Sequence, residues 1–313
     1  MIHSLSITWN PTEGLHLGPI TLRLYSLMFV VAFGLGWVIM KKIFDREGEP
    51  VEKLDKLFIY TLVATLLGAR LGHVFFYDWD YFKDHPAEIL LPFKFDPEFE
   101  FTGFAGLASH GAAIAIILTM FWYSKKVIHR PVLWVLDRVV IPVTSGGIFV
   151  RLGNFFNSEI LGSETSPKLA TAVRFIKGED NLNKYKAMKI TGATDPNKAY
   201  DLIEHDPQFA DTLAKIPFRH PAQLYEAFGY VFVFLIIFYM YWKTDSRKHH
   251  GLIFGVFLVL LWTVRFVVEF VKQSQGGFEG EHPILLTGQW LSIPFIIAGL
   301  YLIFTAKKRT ETL

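Results

Sequence analysis

Ionisable side chains stand inside, or directly after, long apolar stretches of this sequence. Such a group is costly within a membrane-spanning segment and is therefore usually functional. The candidates are Arg70, His73, His110, Arg151, Arg265 and Glu269. A guanidinium group can offer a phosphate two charged donors in a planar fork, and a neutral imidazole can accept a proton. These residue types predict a site that binds a phosphate and moves a proton.

Each candidate also has a structural explanation. Arg265 and Glu269 are four residues apart and can form an ion pair on one helix face. Arg70, near the end of an apolar stretch, can extend its side chain to the lipid headgroups. The small neighbours of His110 in SHGAA let two helices pack closely and share a hydrogen bond. Taken together, three arginines that approach one leaflet favour phosphate binding.

A polar segment, RLGNFFNSEILG, follows the fourth apolar stretch and adds more candidate ligands. After Arg151 it offers two amides, Asn154 and Asn157, and the carboxylate of Glu159. Glycines such as Gly162 let the backbone turn tightly or approach a ligand closely. An amphipathic loop capped by asparagine explains the same residues, so the segment alone leaves both interpretations open.

A second polar segment, RHPAQLYEA, opens the fifth apolar stretch. Pro221 stands near the expected helix start, where its missing N–H costs nothing. Gln223 is expected to face the membrane interface, and Tyr225 is expected in the interfacial aromatic belt. Both are therefore candidates for contact with a lipid headgroup.

The 313-residue chain contains no cysteine. It therefore cannot form disulfides, thiolate metal sites or a cysteine nucleophile, and any thiol chemistry must use the thiol of another molecule. No other residues show a spacing typical of a metal site, so we expect neither a metal nor another cofactor. The formal net charge of +2 gives no reason to expect a nucleic acid as a partner.

Hydrophobic residues make up 51% of the chain, and most of them are concentrated in long runs. A bilayer core about 30 Å thick needs roughly 20 helical residues to cross it, and about seven runs approach that length. These runs are Ile20–Met40, Leu57–Tyr77, Phe104–Tyr123, Val132–Val150, Ala222–Trp242, Leu252–Val271 and Gln289–Thr305. The predicted fold class is an all-α integral membrane protein with about seven transmembrane helices and a small head outside the membrane.

Polar connections divide these runs into predicted domains. Residues 1–150 are expected to hold transmembrane helices 1–4, with an external arm near 78–103, and residues 221–313 to hold helices 5–7. The long polar connection 151–220 is expected to form the head. Basic residues cluster in alternate connections, at 41–56, 125–130, 243–248 and 307–309. By the positive-inside rule these clusters are cytoplasmic, which places the N-terminus outside and the C-terminus in the cytoplasm.

Five segments, taken in order, carry a resemblance to a known family. GARLGH, SHGAA, RLGNFFNSEILG, RHPAQLYEA and VRFVVEF resemble the motifs of the prolipoprotein diacylglyceryl transferases, and the early RLYSLMF fits as well. The resemblance spans nearly the whole chain, and RLGNFFNSEILG is its most specific part. The chain departs from the family pattern at Ser158, where glycine is usual, at Ala112, which replaces a glycine, and at His73, where tyrosine is usual.

The resemblance implies an enzyme of the bacterial inner membrane with a periplasmic head. Such an enzyme transfers the diacylglyceryl group of phosphatidylglycerol to the lipobox cysteine of a preprolipoprotein signal peptide. The product is a thioether, glycerol phosphate leaves, and the reaction is the first step of lipoprotein maturation. Membrane lipid and signal peptide are thus the expected partners, and the family is not known for needing a metal.

Roles for individual residues follow from the resemblance and from residue type. Expected catalytic residues are His110, Arg151 and Arg265. Expected substrate-binding residues are Tyr25, Arg70, Asn154, Asn157, Glu159, Gly162, Gln223, Tyr225 and Glu269. In this hypothesis the two arginines hold the lipid phosphate, Glu269 orients Arg265, and His110 accepts the thiol proton. Alternatively, the arginines alone lower the pKa of the thiol and His110 is structural.

Two other classes of protein would also place charges in membrane spans. A lipid transporter or scramblase predicts charges that line a path from one face to the other, whereas these candidates gather on one side. A noncatalytic assembly factor that binds signal peptides would need an apolar groove but no cluster of phosphate-binding arginines. Both classes are less well supported than an enzyme that transfers a lipid group.

Overall fold

Long apolar helices and a polar head make up the chain in a computed structural model, which describes residues 7–12, 14–17, 20–91, 93–94, 99–101, 106–178, 182–273 and 284–310. The α-helices are α1 (Leu24–Glu47), α2 (Val51–Phe76), α3 (Trp79–Phe82), α4 (Ser109–Tyr123), α5 (Val132–Phe156), α6 (Lys184–Thr191), α7 (Pro196–His205), α8 (Ala210–Ala214), α9 (Ala222–Lys243), α10 (Leu252–Glu269) and α11 (Thr287–Thr305). The strands are β1 (Ile7–Trp9), β2 (Gly14–Leu17), β3 (Ile20–Arg23), β4 (Phe93–Lys94), β5 (Glu100–Phe101), β6 (Val173–Phe175) and β7 (Phe218–Arg219).

Seven helices of the described chain are long and apolar enough to cross a membrane. They are α1, α2, α4 with the π-helical turn Ser124–Ile128, α5, α9, α10 and α11. In hydrocarbon every backbone N–H and C=O must find its partner within the protein, and a helix achieves this within one segment. Exposed apolar side chains such as Val30, Leu118, Phe228 and Phe304 are accounted for by contact with lipid. The predicted fold class and the number of spans are confirmed.

The fourth span is longer than the sequence pattern predicted. The prediction ended it at Val150, but α5 continues to Phe156 and therefore includes Arg151. Apolar residues such as Phe155 continue the buried face, and the helix ends only just before Ser158, whose φ of 55° is incompatible with a right-handed helix. Arg151 is thus held by a helix and does not follow one.

The chain divides into two compact units. We call Met1–Gly36 with Val140–Leu313 the first unit and Trp37–Val139 the second unit. The second unit contains α2 and α4, and the predicted arm region holds α3, a 3₁₀ helix at Pro86–Ile89 and the hairpin of β4 and β5.

Glycines let α2 and α4 touch through their backbones. A Cβ added to Gly72 would lie 2.7 Å from the Cα of Gly111, and one added to Gly68 would lie 2.7 Å from the carbonyl oxygen of Gly111. Gly68 and Gly72 form a GxxxG pattern, which in membranes is typical of close helix packing. The GARLGH and SHGAA motifs therefore have a structural role in this contact.

Replacing Gly111 by Ala should lower the stability of the second unit by roughly 1–3 kcal/mol, because the new methyl group would overlap the backbone of α2. The measurement is the midpoint of thermal unfolding in detergent. Gly34→Ala is the matched control, since nothing lies within 4 Å of a Cβ at that position. Equal midpoints for the two variants would contradict this account of the glycine contact.

Ion pairs join residues 47–53 of the second unit to its residues 130–138. The buried Arg138 donates from Nη2 to Glu47 Oε1 at 2.9 Å and lies 4.0 Å from the centre of the Trp134 ring. Burial alone would raise the pKa of Glu49, but hydrogen bonds from Lys53 and Arg130 lower it below its ordinary value. Arg138 therefore has a structural role within the second unit.

The head belongs to the first unit and lies between α5 and α9. Its apolar core contains Ile176, Leu182, Ala187, Ala199, Tyr200, Ile203 and Ile216. In its small sheet β6 pairs in parallel with β1, with Ile7 opposite Val173, and antiparallel with β7. Trp9 of β1 also donates from its indole N–H to the carbonyl oxygen of Phe155 at 3.0 Å. The N-terminal strand is therefore part of the head, which the sequence pattern did not predict.

Candidate active site

The polar side chains of RLGNFFNSEILG bond to one another. Arg151 Nη1 donates to Asn154 Oδ1 at 3.2 Å, and Asn154 Nδ2 donates to Glu159 Oε2 at 3.3 Å. Asn157 Nδ2 donates to the other oxygen of Glu159 at 3.0 Å. We call these four residues the signature network. It runs without interruption from a side chain on α5 to the exposed Asn157.

A tight turn after α5 brings Glu159 back to the helix. The Glu159 N–H donates to the Asn154 carbonyl at 2.9 Å, while Ser158 and Ile160 have φ angles of 55° and 57°. Positive φ is the region that glycine adopts at little cost. The glycine that the resemblance leads us to expect at position 158 thus has a physical reason, and Ser158 carries backbone strain there.

Arg151 forms an ion pair that the sequence analysis missed. Its Nε is paired with a carboxylate oxygen of Glu226 on α9, and both side chains are largely buried. Tyr230, one helical turn further along α9, is buried and is affected by the charges of both Glu226 and Arg151. The sequence analysis did not single out Glu226, although it is a carboxylate at the start of an apolar run. The pairing fixes the position of Arg151.

Gln223 is buried, not directed to the membrane interface as predicted. Only 1% of it is exposed. Its Nε2 donates to the backbone carbonyl of Glu159, which fixes the amide beside the signature network. Its Oε1 is buried and has no hydrogen-bond partner within the described part of the chain. Gln223 therefore leaves a buried acceptor next to this turn.

Tyr25 packs against the same segment. A Cβ on Gly153 would lie 3.0 Å from the Tyr25 ring, so the glycine makes room for the tyrosine. The charges of Glu159 and Arg151 both act on the Tyr25 hydroxyl. The structure thus places the early tyrosine against Gly153 of the signature segment, and its role in binding a substrate stays a prediction.

Arg265 does not form the ion pair with Glu269 that the spacing allowed. Glu269 instead lies 3.6 Å from Lys272 Nζ, and Arg265 lies over the Trp262 ring at 5.2 Å. The lysine is three residues further on and meets the carboxylate where α10 ends. The expected orientation of Arg265 by Glu269 is therefore wrong. Arg265 has no carboxylate partner among the residues that the structure describes.

Arg151 and Arg265 approach the same phenol. The charges of both guanidinium groups, together with that of Glu226, act on Tyr230. Glu226 is paired with Arg151, whereas Arg265 has no carboxylate partner in the described chain. Such a pair of guanidinium groups suits an anionic phosphate oxygen.

Gly162 has a packing role. Its N–H donates to the His220 carbonyl at 3.0 Å, and a Cβ at this position would overlap that carbonyl. Arg219 donates to the Gly162 carbonyl at 3.3 Å and to Gln273 Oε1 at 3.0 Å. The end of the signature segment is thus clamped between the chain before α9 and the chain after α10.

Tyr225 is hydrogen-bonded to the head. Its hydroxyl lies 2.6 Å from Thr171 Oγ1 and 3.3 Å from His220 Nδ1. It is half-buried, so the predicted place in an aromatic belt describes only part of its surroundings. Its role in binding a substrate stays a prediction.

Two predicted site residues belong to the second unit. His110 is exposed in the first turn of α4, and within the described residues it forms no hydrogen bond, so a helix-to-helix bond does not explain it. Arg70 is buried and donates to the carbonyl oxygens of Ile89 at 2.8 Å and Glu88 at 2.6 Å. Arg70 therefore does not extend to the headgroups but holds the arm region against α2.

The described residues contain no group of three or more His, Cys, Asp or Glu side chains that could hold a metal ion.

Comparison with known proteins identifies the family. A family model described as prolipoprotein diacylglyceryl transferase matches residues 13–305. The chain belongs to the prolipoprotein diacylglyceryl transferase family. The family predicted from the motifs is thereby confirmed, and with it the assignment as a transferase. A transporter and an assembly factor are not favoured.

Curated diacylglyceryl transferases match this family member along its length. It is 35% identical over 306 residues to a phosphatidylglycerol–prolipoprotein diacylglyceryl transferase of Chloroherpeton thalassium, covering 97% of this chain and 96% of the relative. Relatives with the same name come from Tolumonas auensis, with 34% identity over 301 residues and 96% and 97% coverage, and from Porphyromonas gingivalis, with 35% identity over 318 residues and 98% and 96% coverage.

Proposed function

We propose that this transferase moves the diacylglyceryl group of phosphatidylglycerol to the lipobox cysteine thiol of a preprolipoprotein. The cysteine sulfur forms a bond with the glyceryl carbon, and the bond from that carbon to the phosphate oxygen breaks. The electron pair leaves with the oxygen as glycerol phosphate, and the thiol proton passes to a base. The observation that carries the proposal is the signature network, in which a largely buried guanidinium group, two amides and a carboxylate are joined by hydrogen bonds.

The two arginines have different parts in this reaction. Arg151 is held by Glu226 and Asn154, so its fork keeps one orientation when a phosphate binds. Arg265 has no carboxylate partner in the described chain, and its charge is available to the phosphate. Donors fixed in advance stabilise the charge that develops on a leaving group without further reorganisation. Arg151 therefore supplies a preoriented donor, and Arg265 supplies a positive charge that no described carboxylate offsets.

The neutral polar groups select the lipid headgroup. The buried acceptor of Gln223 and the amides of Asn154 and Asn157 are suited to the glycerol hydroxyls. Tyr25 and Tyr225 lie on either side of the signature segment, and Gly162 keeps its end in place. In this proposal Glu159 and Glu269 position their neighbours, and Arg70 holds the arm region.

The first experiment is transfer in detergent by the purified protein, with phosphatidylglycerol labelled in its acyl chains and a lipobox peptide as acceptor. Label should appear on the peptide that contains cysteine and be absent from a matched peptide with serine in its place. Label on both peptides would indicate that the acceptor is not the thiol. Label on neither, with folded protein, would contradict the proposed function.

His110 is the proposed base, and replacing it with Gln should lower transfer at pH 7 by about 100-fold or more. A thiol with a pKa of about 8.5 is mostly protonated at pH 7, and its thiolate fraction rises about tenfold per pH unit below that value. Transfer by the variant should therefore recover between pH 7 and pH 9, while that of the unchanged protein stays flatter.

His73→Gln is the matched control for His110→Gln, because His73 lies in the same unit and bonds to Asp78 at 3.0 Å. It should keep its rate and its pH profile. If His110→Gln retains both as well, the arginines alone ionise the thiol and His110 is not the base.

The orientation is part of the proposal: a bacterial inner membrane, with head and N-terminus outside and the C-terminus in the cytoplasm. Because the chain has no cysteine, single cysteines can report it directly. Lys215→Cys in the head should react with an impermeant maleimide in spheroplasts. Asp245→Cys, in the connection after α9, should react only after permeabilisation. The reverse pattern would overturn the orientation.

A further inference from the structure

The head contains a cationic cavity at the end of the signature network. Its volume is about 550 Å³, within the range of about 300–1,000 Å³ that small-molecule sites have. Arg23, Lys177 and Lys184 line it, together with Asn157 and the rings of Tyr185 and Tyr200. Its described lining therefore contains three cationic side chains, and the nearby carboxylate of Glu159 is hydrogen-bonded to Asn157.

The three cationic side chains of this cavity differ in the hydrogen bonds and ion pairs that they already form. Lys177 is fixed, since its Nζ donates to the Pro11 carbonyl at 2.6 Å and to Asn197 Oδ1 at 3.4 Å. Arg23 is exposed, and Lys184 lies over the Tyr185 ring at 5.1 Å. Neither Arg23 nor Lys184 forms an ion pair with a described residue, so both charges can serve an anion.

Asn157 links the cavity to the reaction site. It is a wall of the cavity and also the last member of the signature network, whose first member is Arg151. Polar side chains therefore connect the arginine proposed to hold the lipid phosphate with a cationic space in the head.

We propose that this cavity binds glycerol phosphate on its way out of the enzyme. The inference rests on the proposed function, in which glycerol phosphate is the leaving group. As a phosphate monoester it carries close to two negative charges at pH 7, more than the diester of an intact lipid, and it has hydroxyls for amide groups. Arg23 and Lys184 bind its phosphate, and Asn157 binds its glycerol part.

The test is the binding of labelled glycerol phosphate to the full-length protein in detergent at 0.15 M salt, by equilibrium dialysis without lipid or peptide. Lys184→Gln should weaken binding about fivefold, the effect of one charge about 4 Å away in water. Arg23→Gln should act in the same direction. Lys189→Gln is the matched control, because Lys189 lies on α6 but does not line the cavity.

Competition distinguishes the sources of phosphate. Inorganic phosphate and phosphatidylglycerol micelles should displace the label only at clearly higher concentrations than glycerol phosphate does. Equal displacement by inorganic phosphate would make the cavity a general anion site, and stronger displacement by the micelles would make it a lipid site; either overturns the inference.

Failure of binding would also overturn it. Absence of saturable binding would show that the cavity holds no glycerol phosphate. Equal weakening by Lys184→Gln and Lys189→Gln would indicate unspecific attraction. Because this assay needs no transfer, loss of binding with intact transfer rejects the exit site alone. Binding without transfer rejects the proposed function.

Discussion

Replacing Arg265 with Gln should lower the rate of diacylglyceryl transfer roughly 100- to 1,000-fold, the usual effect of removing one donor that stabilises a developing anion. Arg265 lies near Tyr230 together with Arg151, and its charge is not taken up by a described carboxylate. The glutamine keeps polarity and much of the volume but loses the charge. The measurement is the initial rate of transfer from phosphatidylglycerol to a lipobox peptide.

Arg265→Lys tests whether the planar fork or only the charge matters. Lysine keeps the charge but cannot bind two phosphate oxygens with one rigid group. Its rate should therefore lie between those of the unchanged protein and Arg265→Gln. If Arg265→Gln folds normally and loses less than about tenfold, equivalent to about 1.4 kcal/mol, Arg265 does not stabilise the leaving phosphate.

Replacing Glu226 with Gln should lower the free energy of unfolding by about 3–5 kcal/mol, because it leaves the buried charge of Arg151 without its partner. The side chain of Glu226 is 2% exposed and that of Arg151 is 12% exposed, so water cannot replace the lost carboxylate. The measurement is the midpoint of unfolding in a mixed-detergent series.

Glu164→Gln is the matched control for Glu226→Gln. Glu164 pairs with Arg219 at 3.5 Å, but its side chain is 66% exposed. An exposed pair contributes at most about 1 kcal/mol, so this variant should unfold near the midpoint of the unchanged protein. The double variant Arg151→Gln with Glu226→Gln should recover stability while transfer stays low. Equal midpoints for Glu226→Gln and Glu164→Gln would contradict the buried ion pair.

The seven spans could be predicted because length and hydropathy directly reflect the thickness of the bilayer. The ends of the spans could not. α5 continues past Val150 because Phe155 still packs against the head. This contact includes Trp9 of the N-terminal strand β1, which is far away in sequence. The pairing of β1 with β6 likewise joins residues that are far apart in sequence, and no local pattern reports it.

The candidate site shows the same division. Arg151, Asn154 and Glu159 could be recognised because costly polar groups stand close together in one segment. Glu226 could not be assigned as the partner of Arg151, since its burial arises only when α5 and α9 pack together. The rule for residues four apart favoured an Arg265–Glu269 pair, but Lys272 occupies that carboxylate. Spacing therefore identifies which pairs are allowed, and packing decides which of them form.

The central claim is that a thiol displaces glycerol phosphate from phosphatidylglycerol at the cluster of Arg151 and Arg265. The most direct test measures both products in one reaction of the purified protein with a lipobox peptide: the thioether by mass spectrometry and the released glycerol phosphate by an enzymatic assay. The account predicts equal amounts of the two at every time point, and neither product without the peptide. Release of glycerol phosphate in the absence of the peptide would contradict the account. Formation of the thioether without release of glycerol phosphate would contradict it as well.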